Sequence, residues 1–182
     1  MKRKIVLFIT VFLISIGCYA QNNDVIIKAL FEQANDMGKK FISQDYAGFI
    51  KYSHPTTIKA MGGEKKAAEK ITTEMLDIGK DGIVVTNLTF GVPSKIITVK
   101  DELQCTVPQI MEMHVPGGKV TSTTTMLAIS NDKGKNWYFL DTANYNFYDM
   151  KMLLPNLSEE IVIPERTDPA FEADPKEESK PE

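Results

Sequence analysis

The feature that most constrains the fold is a change in hydrophobic periodicity between residues 78 and 83. Before it, apolar residues recur at steps of three and four, which is the period of a helix with one buried stripe. After it, β-branched and aromatic residues alternate with polar ones, as in half-buried strands. Helices followed by an antiparallel meander predict an α+β fold.

Three helices are predicted in the first part, over residues 24–42, 45–52 and 64–78. Asn23 or Asp24 can cap the first helix, and Ser43 or Asp45 the second. Pro55 is expected to end the second helix. The third helix is expected to turn inward the apolar side chains of Ala67, Ile71, Met75 and Leu76.

Five strands are predicted after the change: Ile83–Phe90, Lys95–Val99, Glu102–Val115, Lys119–Ser130 and Asn136–Thr142. Turn sequences at 116–118 and 131–134 join the last three as a meander. With Gly117-Gly118 as a two-residue loop, Met111 and Met113 share a face with Val120, Ser122, Thr124 and Met126. Ile110, Glu112 and His114 then share the other face with Thr121, Thr123 and Leu127.

The second turn carries the sharpest local motif, S-x-D-x-G-x-x-W, at Ser130, Asp132, Gly134 and Trp137. It resembles the Asp-box hairpin of sialidase-like propellers. In such a turn the carboxylate accepts backbone N–H groups and the tryptophan packs beneath the loop, which is a structural role. A sialidase would need several boxes and an arginine cluster, whereas Arg166 is the only arginine after residue 3.

The two ends of the chain have a distinct composition. Residues 1–20 have the layout of a cleaved signal peptide, which predicts export to the periplasm or the extracellular space without stable membrane insertion. A lipid anchor on Cys18 is the weaker alternative. The acidic, proline-rich residues 164–182 are expected to be disordered, which leaves 21–163 as a single domain.

Charge and chemistry exclude several functions. The net charge of −3 leaves no cationic excess for nucleic acid. His54 and His114 lack a metal-ligand spacing, and no cofactor motif occurs, so neither metal nor cofactor is expected. Cleavage would leave Cys105 without a disulfide partner, as a small buried hydrophobe. His54, next to a helix end, can cap free backbone groups or serve as a donor or base at a pocket rim.

The element order is similar to that of the nuclear transport factor two-like, or SnoaL-like, cone-fold superfamily. It comprises a long helix, a short helix ending at Tyr52-Ser53-His54-Pro55, Gly62-Gly63, a third helix and a meander. The resemblance implies a strongly curved, cystatin-like half barrel around a conical cavity. Enzymes of that superfamily place Asp, His or Tyr in the cone. No Asp of the meander strands can be assigned a buried position from the sequence, so no catalytic residue carries over.

The first functional hypothesis is an exported, non-enzymatic domain that binds a small apolar or amphipathic ligand, or a protein partner, at the cone mouth. Its candidate contacts are Tyr46, Tyr52, His54, Met111, Met113 and Met126. One alternative is an isomerase, dehydratase or cyclase with His54 as base and a tyrosine as donor. Another is a homodimeric scaffold that uses the polar sheet face.

Overall fold

Helices precede an antiparallel sheet along the chain, as the change in periodicity predicts. The structure, a computed structural model, describes residues 23–175. The predicted signal peptide, including Cys18, and the last residues of the predicted tail lie outside this range.

Four helices come first: α1 over residues 23–42, α2 Tyr46–Ile50, α3 Pro55–Ala60 and α4 Glu64–Lys80. Asp45 caps α2, because its Oδ1 accepts the Gly48 N–H at 2.9 Å. Pro55 does not merely end a helix, since it is the first residue of α3. Proline suits that position because the N–H it lacks would have no partner in the first turn.

Six strands form one open antiparallel sheet: β1 Val84–Phe90, β2 Ile97–Val99, β3 Glu102–Val115, β4 Gly118–Ser130, β5 Tyr138–Asp141 and β6 Ala170–Ala173. The long ribbon β3–β4 is its centre. β1 and β2 pair with one edge of β3, and β5 and β6 pair with the opposite edge of β4. Helix α5, Phe147–Leu153, follows β5. The α+β prediction is confirmed.

The two-residue turn between β3 and β4 lies one residue earlier in the chain than predicted. Pro116-Gly117 form the two-residue loop, Gly117 has φ +86°, and Val115 pairs with Gly118. The register therefore shifts by two residues, which preserves every face because side chains alternate with period two. Met111 lies opposite Ser122 and Met113 opposite Val120, so the predicted shared face is confirmed.

Each face of the sheet carries its own hydrophobic core. On the helix face, α1 packs against the sheet through Leu30, Ala34, Met37, Cys105, Val107, Met126, Ala128, Trp137 and Phe139. On the opposite face, α5 and the chain after it cover the sheet through Leu127, Ile129, Leu140, Met150, Leu154, Leu157 and Ile161. The second core covers the Leu127 end of the face predicted for dimerisation, whereas His114 and Thr123 of that face are exposed.

The C-terminal segment departs from the predicted disorder. Residues 170–173 form β6, which pairs with Gly118–Thr121 of β4. Composition alone misses this strand because its partner lies about fifty residues earlier in the chain and a free edge can order even a polar segment.

Candidate functional site

The Asp-box-like hairpin has the predicted structural role. Asp132 Oδ1 accepts the N–H groups of Lys135 and Asn136 at 3.1 and 2.8 Å. The Ser130 hydroxyl donates to the same oxygen at 2.9 Å and accepts the Gly134 N–H at 2.9 Å. Partial burial raises the pKa of Asp132, but the hydrogen bonds from Asn136, Ser130 and Lys135 outweigh it and hold the pKa below its usual range.

A residue that sequence reasoning missed, Gln33, joins this hairpin to α1. Its Oε1 accepts the backbone N–H of Trp137 at 2.8 Å, and its Nε2 donates to the backbone carbonyl of Lys135 at 2.9 Å. A signal was present, because residues 30, 33, 34 and 37 follow the helical period of the buried stripe. A glutamine in such a stripe indicates a polar partner on the facing element.

His54 lies at the N-terminus of α3, where it acts as a cap. Its Nδ1 accepts the Thr56 N–H at 3.2 Å, and its ring packs edge-on against Tyr138 with centroids 6.3 Å apart. Burial lowers the pKa of His54, and the Glu102 carboxylate partly opposes this change. The imidazole is therefore held neutral, with one ring nitrogen committed to the helix.

Tyr52 packs against the helix-face core, and its hydroxyl donates to Asp36 Oδ2 at 2.5 Å. Burial, together with the hydrogen bond and charge of Asp36, raises its pKa to about 12. The Tyr52 hydroxyl therefore already donates a hydrogen bond, which joins α1 to the end of α2. Met126 is a core residue with 5% of its surface exposed.

Met111 and Met113 are half-buried on the helix face of β3. They lie opposite Leu88 and Val85 of β1. Burial raises the pKa of Cys105 to about 12, as expected for a core thiol, while His114 is exposed opposite Lys119 on the other face.

An apolar groove of about 590 Å³ lies between α4, the end of α1 and β1. Its apolar lining includes Ile42, Met75, Leu76, Ile78, Ile83 and Val85. Leu76, which was expected to face inward, is 63% exposed at the rim. We refer to this space as the α4 groove.

A second cavity of about 750 Å³ adjoins the α4 groove between α2 and α4. We call it the polar cavity because most of its lining residues are charged or polar, although the atoms they expose are mainly carbon. Its charged lining residues are Asp45, Lys51, Glu64, Lys65 and Glu69. Four residues, Gln44, Tyr46, Thr72 and Thr73, line both spaces. Burial raises the pKa of the Tyr46 hydroxyl, so this group is a neutral donor at the junction.

A third cavity of about 580 Å³ lies on the opposite face of the sheet. It is bounded by Thr123–Thr125 of β4, the loop after β5 and residues 163–167. Of the six residues predicted to form the site, Tyr46 lines the α4 groove and the polar cavity, and the other five line none of the three spaces.

No protein-family model matches the chain, and comparison with curated proteins returns no match. The site must therefore be judged on its own geometry. Among residues 23–175, no helix combines the length and the apolar character needed to cross a bilayer. In the same range, no three His, Cys, Asp or Glu side chains cluster closely enough to hold a metal ion.

Proposed function

We propose that this protein is an exported, non-enzymatic domain that binds a single-chain amphipathic ligand, with its apolar chain in the α4 groove and its polar head in the adjoining cavity. The cone-fold resemblance, which rests on element order, is part of the same proposal. The observation that carries it is the poor burial of α4. This helix has seventeen residues, yet Ala67 is its one buried residue.

An amphipathic helix normally gains its stability by burying its apolar stripe. On α4, Ile71, Met75 and Ile78 are half-buried and Leu76 is exposed, so water still reaches much of the stripe. A hydrocarbon chain in the groove would remove that surface from water at about 25 cal/mol per Å². A concave, mainly apolar space with a few polar groups at one end is the usual form of a small-molecule site.

The polar cavity suggests the class of head group. Its lining carries charges of both signs, two from lysines and three from acids: Lys51, Lys65, Asp45, Glu64 and Glu69. Asp45 is paired with Lys40, 3.4 Å away beside the cavity, so the charges balance, and a balanced site favours a zwitterionic or neutral head over an anionic one. The Tyr46 hydroxyl lies where chain and head would meet and can donate a hydrogen bond there.

The enzymatic alternative has less support. His54 does not line the groove, and its Nδ1 already accepts a hydrogen bond from the backbone of α3. The Tyr52 hydroxyl donates to Asp36. A base and a donor that act together need to reach the same bound atom.

The test is calorimetric titration with lauroyl lysophosphatidylcholine and with laurate, each below its critical micelle concentration. We expect the zwitterionic amphiphile to bind more tightly than laurate. Leu76→Gln should lower the affinity for both amphiphiles about tenfold, because it removes apolar contact at the groove rim. Leu76 is largely exposed, so the fold should tolerate the change.

Met152→Gln is the matched control, since Met152 is an apolar helix residue that is 77% exposed outside the groove. It should bind both amphiphiles like the wild type. Equal affinity in wild type and Leu76→Gln would refute binding in the α4 groove. Tighter binding of laurate would refute the assignment of the head group.

A further inference from the structure

The second glycine of the Pro116-Gly117-Gly118 sequence has a role that the turn does not explain. Gly117 needs its positive φ for the turn, whereas Gly118 is already the first residue of β4. A Cβ atom built on Gly118 would lie 2.2 Å from the Glu172 carbonyl oxygen and 2.8 Å from the Phe171 ring. The missing side chain therefore makes room for β6.

The β4 edge fits β6 in two ways, through the Phe171 ring and through the backbone ladder. Phe171 lies opposite Val120, with its ring over Gly118. Glu172 lies opposite Lys119, whose ammonium group is 3.1 Å from Glu112. The ladder continues past the strand, because the Asp174 N–H donates to the Gly117 carbonyl at 3.0 Å. The edge thus offers a depression for an aromatic ring and backbone groups for a ladder, while Lys119 is already paired with Glu112.

Little besides this edge holds β6 in place. All four of its residues are exposed, and Phe171 is 60% exposed. Within the described range, no backbone hydrogen bond ties residues 162–169 to the rest of the chain. A terminal strand with so little buried surface opens at low free-energy cost.

We propose that residues Gly118–Thr121 of β4 form a strand-addition site for an extended segment of another protein, one that carries an aromatic residue opposite Val120. Residues 170–173 occupy this site as an internal competitor. Strand addition obtains affinity from main-chain hydrogen bonds and specificity from side-chain positions. The competitor lowers the apparent affinity by the fraction of time for which the site is open. This site is separate from the α4 groove.

The probe is a fluorescently labelled peptide with the sequence of residues 168–175, titrated by anisotropy against full-length chains. We expect Phe171→Ala to bind the peptide at least about tenfold more tightly than the wild type, because the internal strand loses its aromatic contact. Val162→Ala is the matched control. It alters an exposed residue of the same segment outside β6, and it should bind like the wild type.

Adding Gly118→Val to Phe171→Ala should abolish binding by filling the depression, and Gly118→Ala should weaken it. Circular dichroism checks that these chains fold. A Phe171→Ala chain that binds no better than the double variant would overturn the proposal. If the wild type dimerises and Phe171→Ala abolishes the dimer, the site binds the tail of a second copy. That result would overturn the proposal of a different protein as partner.

Discussion

The imidazole of His54 can cap α3 only while it is neutral. Its Nδ1 accepts the Thr56 N–H, and a protonated ring has no free acceptor. Burial lowers the folded-state pKa below the ordinary value of 6.5, although Glu102 partly offsets this. Between those two pKa values the unfolded chain binds more protons than the folded one. Protonation therefore favours the unfolded chain as the pH falls through this window.

We expect the free energy of unfolding to be insensitive to His54 above about pH 6.5 and to fall as the pH drops from there toward the lowered folded pKa. His54→Asn, which can cap without titrating, should lose this decline. His54→Ala should cost about 1 kcal/mol at pH 7. Urea denaturation of the three chains at pH 7 and pH 5.5 measures both effects. An identical pH dependence in wild type and His54→Asn would contradict the assignment.

At the scale of elements, Gln33 adds hydrogen bonds to the apolar packing between α1 and the hairpin before β5. Gln33→Ala should destabilise the protein by about 1 to 2 kcal/mol, because it leaves the part-buried Trp137 N–H without its acceptor. Gln33→Glu keeps an acceptor and should lose less. Denaturant titration followed by circular dichroism gives these values.

The adjacent Glu32→Ala is the control for Gln33, since among residues 23–175 Glu32 makes one exposed pair, with Lys28 at 3.8 Å. It should change stability by less than about 0.5 kcal/mol. If Gln33→Ala were equally mild, the hairpin would be held by apolar packing alone.

Elements with a strong period could be predicted from the sequence, and those that depend on distant partners could not. The bounds of β3 match the predicted Glu102–Val115. The predicted pairing of β3 with β4 was shifted by two residues from the observed one. Each side chain was still assigned to the correct face, because side chains alternate between the faces with period two. Helix α3 was missed because Pro55 can end or begin a helix. β6 was missed because its fit depends on Gly118, far away in the sequence.

At the scale of the whole molecule, the sheet separates two cores, and Cys105 lies in the one beneath α1. With its pKa raised to about 12 by burial, the thiol has almost no thiolate at pH 7 to 9. In a Cys18→Ser background, Cys105 should react with a disulfide reagent at least about a thousandfold more slowly than in urea-unfolded chain. Rapid labelling under native conditions would show that this core opens locally.

The candidate site also depends on how whole elements pack together, and for that reason the sequence predicted little of it. Tyr46 was identified because the second helix, whose cap Asp45 is recognisable, was expected to converge with one face of the sheet. The groove itself forms between α4 and the start of β1 and leaves Leu76 exposed, whereas periodicity assigns such a residue to the core. Tyr52 and Met126 were expected at a cavity, but they are part of close packing beneath α1.

The Asp-box-like hairpin gives the molecule an internal optical reporter. Trp137 is the only tryptophan of the chain, it is 1% exposed, and its indole Nε1 is buried without a hydrogen-bond partner among the described residues. An indole in such an apolar environment emits at shorter wavelength than one in water. Because the ring lies between α1 and the hairpin, a red shift of its emission marks the moment at which these two elements separate.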